Sequence, residues 1–118
     1  MALDQAFAEH FAADRIAAWN SHDLARVLAH YSDEFEMSSP LIAQIAGEPS
    51  GTLKGKQQVG EYRAKALQLL PDLHFELLEV LVGVNSLTLF YQSPRGKAAE
   101  VLFLGPNRLV TKASAHYA

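Results

Sequence analysis

Hydrophobic positions change their spacing once along the chain. Up to about residue 70 they recur mostly at helical intervals, and from His74 onward they alternate with polar ones. Alanine dominates residues 2–18, and Phe7, Phe11, Ile16 and Trp19 mark an apolar stripe, so this stretch predicts a first helix. Asn20-Ser21-His22-Asp23 interrupts it. Ser21 or Asp23 can cap a second helix, whose face reads Leu24, Val27, Leu28 and Tyr31. Residues 35–40, Phe-Glu-Met-Ser-Ser-Pro, alternate and end on proline, which predicts a strand. Residues 41–56 hold Gly47, Pro49, Ser50, Gly51 and Gly55 and read as a loop with one short strand around Leu41–Ile45. In a third helix Val59, Tyr62, Arg63, Ala66, Leu67 and Leu70 share one face, and Pro71 stops it.

The second half predicts strands at 74–82, 87–92, 98–104 and 108–117. Gly83-Val84-Asn85, Ser93-Pro94-Arg95-Gly96 and Gly105-Pro106-Asn107 separate them with turn chemistry. Links this short force an antiparallel meander. Three helices followed by a strand run imply an α+β fold, with the helices packed on one face of the sheet. A curved sheet with helices on its concave side encloses a cavity, and cavities of that kind are mostly apolar with a few polar groups.

Composition narrows the class. The 118 residues are 49% hydrophobic and 19% charged, with no cysteine and a formal net charge of -3. This is the profile of one globular domain, residues 1–118, that folds without a disulfide or a zinc–thiolate cluster. Ten Lys+Arg against thirteen Asp+Glu give no basic excess, so nucleic acid is not an expected partner. No apolar run is long enough for a membrane span, and Asp4, Glu9, His10 and Asp14 are unlike a secretory leader. A cytoplasmic protein is the expectation. No glycine-rich phosphate loop, nucleophile elbow or His-Glu-x-x-His pattern occurs, and no cofactor or metal is expected. His10 and Asp14 have a spacing that a metal could use, but nothing supports it over surface placement. His22 in its turn reads as a capping or solvent residue.

Two stretches carry a family likeness. Ala18-Trp19-Asn20-Ser21-His22-Asp23-Leu24, followed by residues 31–40 (Tyr-Ser-Asp-Glu-Phe-Glu-Met-Ser-Ser-Pro), resembles the SnoaL-like group of the nuclear transport factor 2-like superfamily. Residues 113–117, Ala-Ser-Ala-His-Tyr, resemble its last strand. The resemblance implies a cystatin-like cone, three N-terminal helices packed on the concave face of a strongly bent antiparallel sheet and open at one end, and frequent homodimers through the convex sheet face. It implies no single function, since the fold serves isomerases, cyclases, dehydratases, epoxide hydrolases and binding subunits.

Ketosteroid isomerases in this superfamily place a carboxylate base in an Asp-Pro pair after the first strand. The matching pair here is Ser39-Pro40. A serine hydroxyl cannot take up a proton unaided at neutral pH, which argues against that activity. The resemblance puts the tyrosine donor at Arg15, supporting tyrosines at Tyr31 and Tyr62, and the oxyanion-hole acid at Glu100. Trp19, Met37, Ser39 and Tyr117 complete the implied ligand-binding set. Each has a plainer reading: Tyr31, Tyr62 and Trp19 as core, Arg15 as a solvated charge. Glu100 is the candidate catalytic group. Its strand is apolar on both faces, and parity places it with Ala98, Leu102 and Leu104. It reads as a cavity acid near Tyr62 or as an edge residue in water. With no charge partner on its own strand face it is expected to be partly protonated, unless Arg15 reaches it and ionises it.

Val101 and Phe103 point opposite to Glu100, and Val110 and His116 opposite to Tyr117. An apolar convex face of this kind predicts a homodimer. Residues 41–56 are expected to form a mobile rim. Three functional readings fit: an isomerase- or cyclase-type enzyme acting on a hydrophobic molecule bearing a carbonyl or hydroxyl, a non-catalytic binder of such a ligand, and a dimerising interaction domain whose cone is plugged by Trp19, Phe11 and Met37.

Overall fold

The computed structural model describes residues 4–118. Along the chain run α1 (Gln5–Asn20), α2 (Leu24–Leu28), β1 (Tyr31–Ser38), α3 (Pro40–Ile45), β2 (Thr52–Lys54) and α4 (Lys56–Leu69). Then follow β3 (Glu76–Gly83), β4 (Ser86–Ser93), β5 (Gly96–Leu104) and β6 (Val110–Tyr117). All the strands join one six-stranded sheet in the order β2-β1-β6-β5-β4-β3. The helices pack against this curled sheet, which is the α+β architecture expected.

Strands β3 to β6 form the predicted meander. The sheet is nevertheless not wholly antiparallel, because β1 lies parallel to β6, with Met37 opposite Ala113 and Ser38 opposite Ser114. Short turns dictate direction only between consecutive strands. Most of the chain separates β1 from β6, so no such constraint acts on that pair.

The helices number four among the described residues. Leu41–Ile45 lies in helix α3, not in a strand. Ser39 Oγ accepts a hydrogen bond from the Leu41 N–H at 3.2 Å, and Pro40 occupies the first turn, where its missing N–H costs nothing. A Ser-Pro pair that ends a strand can thus also start a helix. Tyr31 opens β1 instead of closing the face of α2. The Val110 N–H donates to His30 O at 2.8 Å, so pairing with β6 claims the chain where helical spacing would have continued. Asp23, not Ser21, caps α2.

One face of β5 is buried as parity predicts: Ala98, Glu100, Leu102 and Leu104 are each at most 8% exposed. Parity fails on β6. Phe103 pairs with Lys112 but Leu104 with Val110, leaving Thr111 as an extra residue in a bulge. Val110 therefore turns into the core at 0% exposure, while His116 stays outside, and the expectation that they share the convex face is corrected. Among the described residues no helix is long and apolar enough to cross a membrane.

Candidate functional site

Helices α1, α3 and α4 and the inner face of the sheet enclose a cavity of about 330 Å³. Arg15 and Trp19 enter it from adjacent turns of one face of α1. Tyr62, Arg63 and Ala66 come from α4, Leu89 and Tyr91 from β4, Glu100 from β5 and Tyr117 from β6. Leu89, Glu100 and Ala115 lie side by side in register, as do Tyr91, Ala98 and Tyr117, so the pleat delivers Glu100 and both tyrosines to the same side.

Arg15 and Glu100 form the polar centre. Arg15 donates from Nε at 3.0 Å and from Nη2 at 2.7 Å, both to Glu100 Oε1. Arg15 is 1% exposed and Glu100 4% exposed. Burial alone would push the Glu100 carboxyl up, but Arg15 and Arg63 outweigh it and hold the group below its ordinary value. Glu100 is therefore ionised. Of the two states expected, partly neutral or ionised by Arg15, the geometry gives the second, because Arg15 reaches the carboxylate from helix α1. Burial likewise opposes the Arg15 charge, and Glu100 and Tyr31 more than restore it.

Sequence reasoning did not assign Arg63 a role at the site. Its Nη2 stands 3.8 Å from Glu100 Oε2 and donates to Tyr31 Oη at 3.0 Å and to Met37 Sδ at 3.3 Å. Its guanidinium also lies 4.6 Å from the Trp19 ring centroid, within cation–π range. The signal was present: Arg63 shares a helix face with Val59, Tyr62 and Ala66, and an arginine on an apolar stripe needs a buried partner. Tyr91 is the second omission, a phenol kept neutral by burial beside Glu100. Burial also raises Tyr62 and Tyr117.

The remaining predicted residues divide. Arg15, Trp19, Tyr62, Glu100 and Tyr117 line the cavity, whereas Met37 and Ser39 do not. Met37, 2% exposed, sits behind the wall under Arg63. Ser39 caps α3, and its Oγ donates to Tyr117 Oη at 3.5 Å. Tyr31 is a core residue at 1% exposure, stacked on Phe35 with 4.0 Å between centroids. Pro40, Leu41 and Gln44 line the cavity from helix α3, where a loop was the expectation, with Ile42 fully buried beneath it. Away from the cavity, Asp14 pairs with Arg26 at 2.9 Å and His30 at 2.7 Å, and not with His10. His22 binds Leu73 O through Nε2 at 2.7 Å and so ties the turn after α1 to the segment before β3.

Known proteins agree with this architecture. A chain described as a SnoaL-like protein of unknown function from Burkholderia thailandensis superposes with a TM-score of 0.95 at 55% identity, over 100% of this chain and 99% of that one. TerC, crystallised with polyporic acid, aligns at 13% identity and a TM-score of 0.72, over 91% of this chain and 88% of TerC. SalBIII, an epoxide hydrolase/cyclase-like enzyme of salinomycin pyran-ring formation, aligns at 11% identity and a TM-score of 0.72, over 98% of this chain and 93% of SalBIII. No curated protein matches the sequence. The SnoaL-like domain family matches residues 5–104, most of the chain, and the protein belongs to that family.

Proposed function

We propose that this protein binds a small, largely apolar molecule bearing a carbonyl or hydroxyl group, with Glu100 accepting from a hydroxyl and the phenols of Tyr62, Tyr91 and Tyr117 available to donate to a carbonyl. The observation that carries this reading is an open cavity whose wall includes a buried, ionised carboxylate. Trp19, Leu89 and Phe75 supply apolar lining, and Tyr62, Tyr91 and Tyr117 supply phenols. The volume of about 330 Å³ suits one small ligand. The plugged-cone reading fits less well, because Phe11 and Met37 lie outside the lining and Trp19 leaves the space open.

An isomerase- or cyclase-type step is the second reading. SalBIII is described as cyclase-like on the same fold, which favours such chemistry in principle. Against it, a carboxylate stabilised by arginine is a weak base. Ser39 supplies no alternative, since its hydroxyl is committed to the α3 cap. Binding is therefore the better-supported function.

Calorimetric titration with acetylnaphthalene and with naphthol tests the reading. Saturable binding is expected, and Ala66→Phe, which fills the cavity from α4, is expected to weaken it at least about tenfold, the scale of one lost apolar contact group. Failure of both compounds to bind the folded wild-type chain would remove the proposal.

The convex face supports a homodimer. Phe103 is 42% exposed and Leu81 56% exposed, and Phe90 and Val101 are half-buried on the same side. Sedimentation is expected to give a dimer that Phe103→Glu converts to a monomer. A wild-type chain that stays monomeric at all concentrations would exclude this packing.

A further inference from the structure

We infer that the cavity selects an organic anion: its buried end holds two guanidinium groups against one carboxylate, so the favoured ligand presents a carboxylate to Arg63 and Arg15. Its apolar body would lie along Trp19 and Leu89. The inference rests on the binding reading above and names the class of ligand more narrowly.

The charge count is local. Arg15, Arg63 and Glu100 are all more than nine-tenths buried. Arginine stays protonated in proteins, and Glu100 is ionised, so the three together carry one net positive charge. Among the described residues no other acidic side chain lines the cavity. Arg95 at the mouth is already paired with Asp72 at 3.0 Å. Lys97 directs its ammonium towards the ring of Phe90, 5.9 Å away on the convex side. The chain as a whole carries a net charge of -3, so the cavity inverts the sign of the molecule around it.

The hydrogen-bond inventory points the same way. Arg15 spends both Nε and Nη2 on one oxygen of Glu100, and its Nη1, though buried, has no partner. Arg63 spends Nη2 on Tyr31 Oη and Met37 Sδ, and its buried Nε has no partner. Its approach to Glu100, at 3.8 Å, is an ion pair without a hydrogen bond. Buried donors on charged groups are costly to leave unmade. Both belong to residues that line the cavity, and each nitrogen is itself sealed from it, so an anion reaches them only as the guanidinium turns. A neutral ketone cannot supply the missing charge, and a carboxylate supplies charge and acceptor lone pairs together.

Naphthoate and acetylnaphthalene have nearly the same shape and differ in one feature, a carboxylate in place of an acetyl group. In calorimetric titrations of the full chain near neutral pH, naphthoate is expected to bind about 10- to 100-fold more tightly, the usual gain from a hydrogen bond to a charged group. Arg63→Met is expected to bring the ratio near one, and Arg63→Lys to keep part of it. Ala66→Phe should weaken both compounds. Equal affinities, or a preference for the ketone, would overturn the anion assignment and leave the binding reading standing. Binding of neither compound would overturn the anion assignment, and failure of naphthol as well would overturn the binding reading with it. Naphthoate binding that survives Ala66→Phe would place the anion elsewhere and also overturn the assignment. The wild-type ratio requires no variant, so a poorly folding Arg63→Met cannot rescue the proposal.

Discussion

Glu100→Leu is expected to destabilise the protein more than Arg15→Met, although each breaks the same ion pair. Breaking a buried pair costs ~3–5 kcal/mol, because the abandoned charge stays in a poorly solvated site. Removing Glu100 abandons two guanidiniums, Arg15 and Arg63, which places the loss near the top of that range. Removing Arg15 abandons one carboxylate, and Arg63 already stands 3.8 Å from its other oxygen. Tightening of that contact holds the loss near the bottom of the range. Urea denaturation of both variants and of the double variant measures the order and the coupling. Equal losses would refute the order, and losses below about 1 kcal/mol would mean that the pair is no more stabilising than a surface salt bridge.

Acid should weaken the wild-type chain through the same carboxylate, and Glu100→Gln should lose less stability on acidification. Burial pushes the Glu100 carboxyl up, yet the two arginines hold it below 4.5, its ordinary value. In the unfolded chain the group titrates near that ordinary value. Between its folded value and 4.5 the unfolded state binds more protons, so stability falls as pH falls through that window and is fully present above it. Asp14, held low by its hydrogen bonds from Arg26 and His30, contributes with the same sign. Its side chain is 42% exposed, so its share is discounted for solvent screening and persists in the variant. Denaturation midpoints measured from neutral pH down to about pH 3 separate the two. Acid limbs that run parallel in wild type and Glu100→Gln would show that Glu100 has no such role.

The fold class and the strand meander were legible because both depend on spacing, which a sequence displays directly. Glu100 was legible for a related reason: it is the one charged residue in the apolar run 98–104. Its protonation state was not, since the deciding neighbours lie 85 positions away on α1 and on α4, where only the folded chain brings them near. Arg63 was visible on its apolar helix face but was read as one more face residue. Thr111 shows another limit. A single extra residue in β6 reverses the side on which Val110 lies, and nothing local in Arg108-Leu109-Val110-Thr111 announces it. Ser39 and Met37 mark the gap between matching a motif and lining a cavity: both sit next to the site, and both face the scaffold that holds it.

The place of β6 in the sheet has a consequence for biosynthesis. The last of the six strands of this sheet to leave the ribosome lies in its interior, between β1 and β5. Until it emerges, the nascent chain holds two unjoined pieces, β2-β1 and β3-β4-β5, each with a bare edge where β6 will pair. Such edges recruit other chains. A chain released after truncation in the turn before Val110 would therefore be an aggregation-prone form of this protein, although it holds every other strand of the sheet.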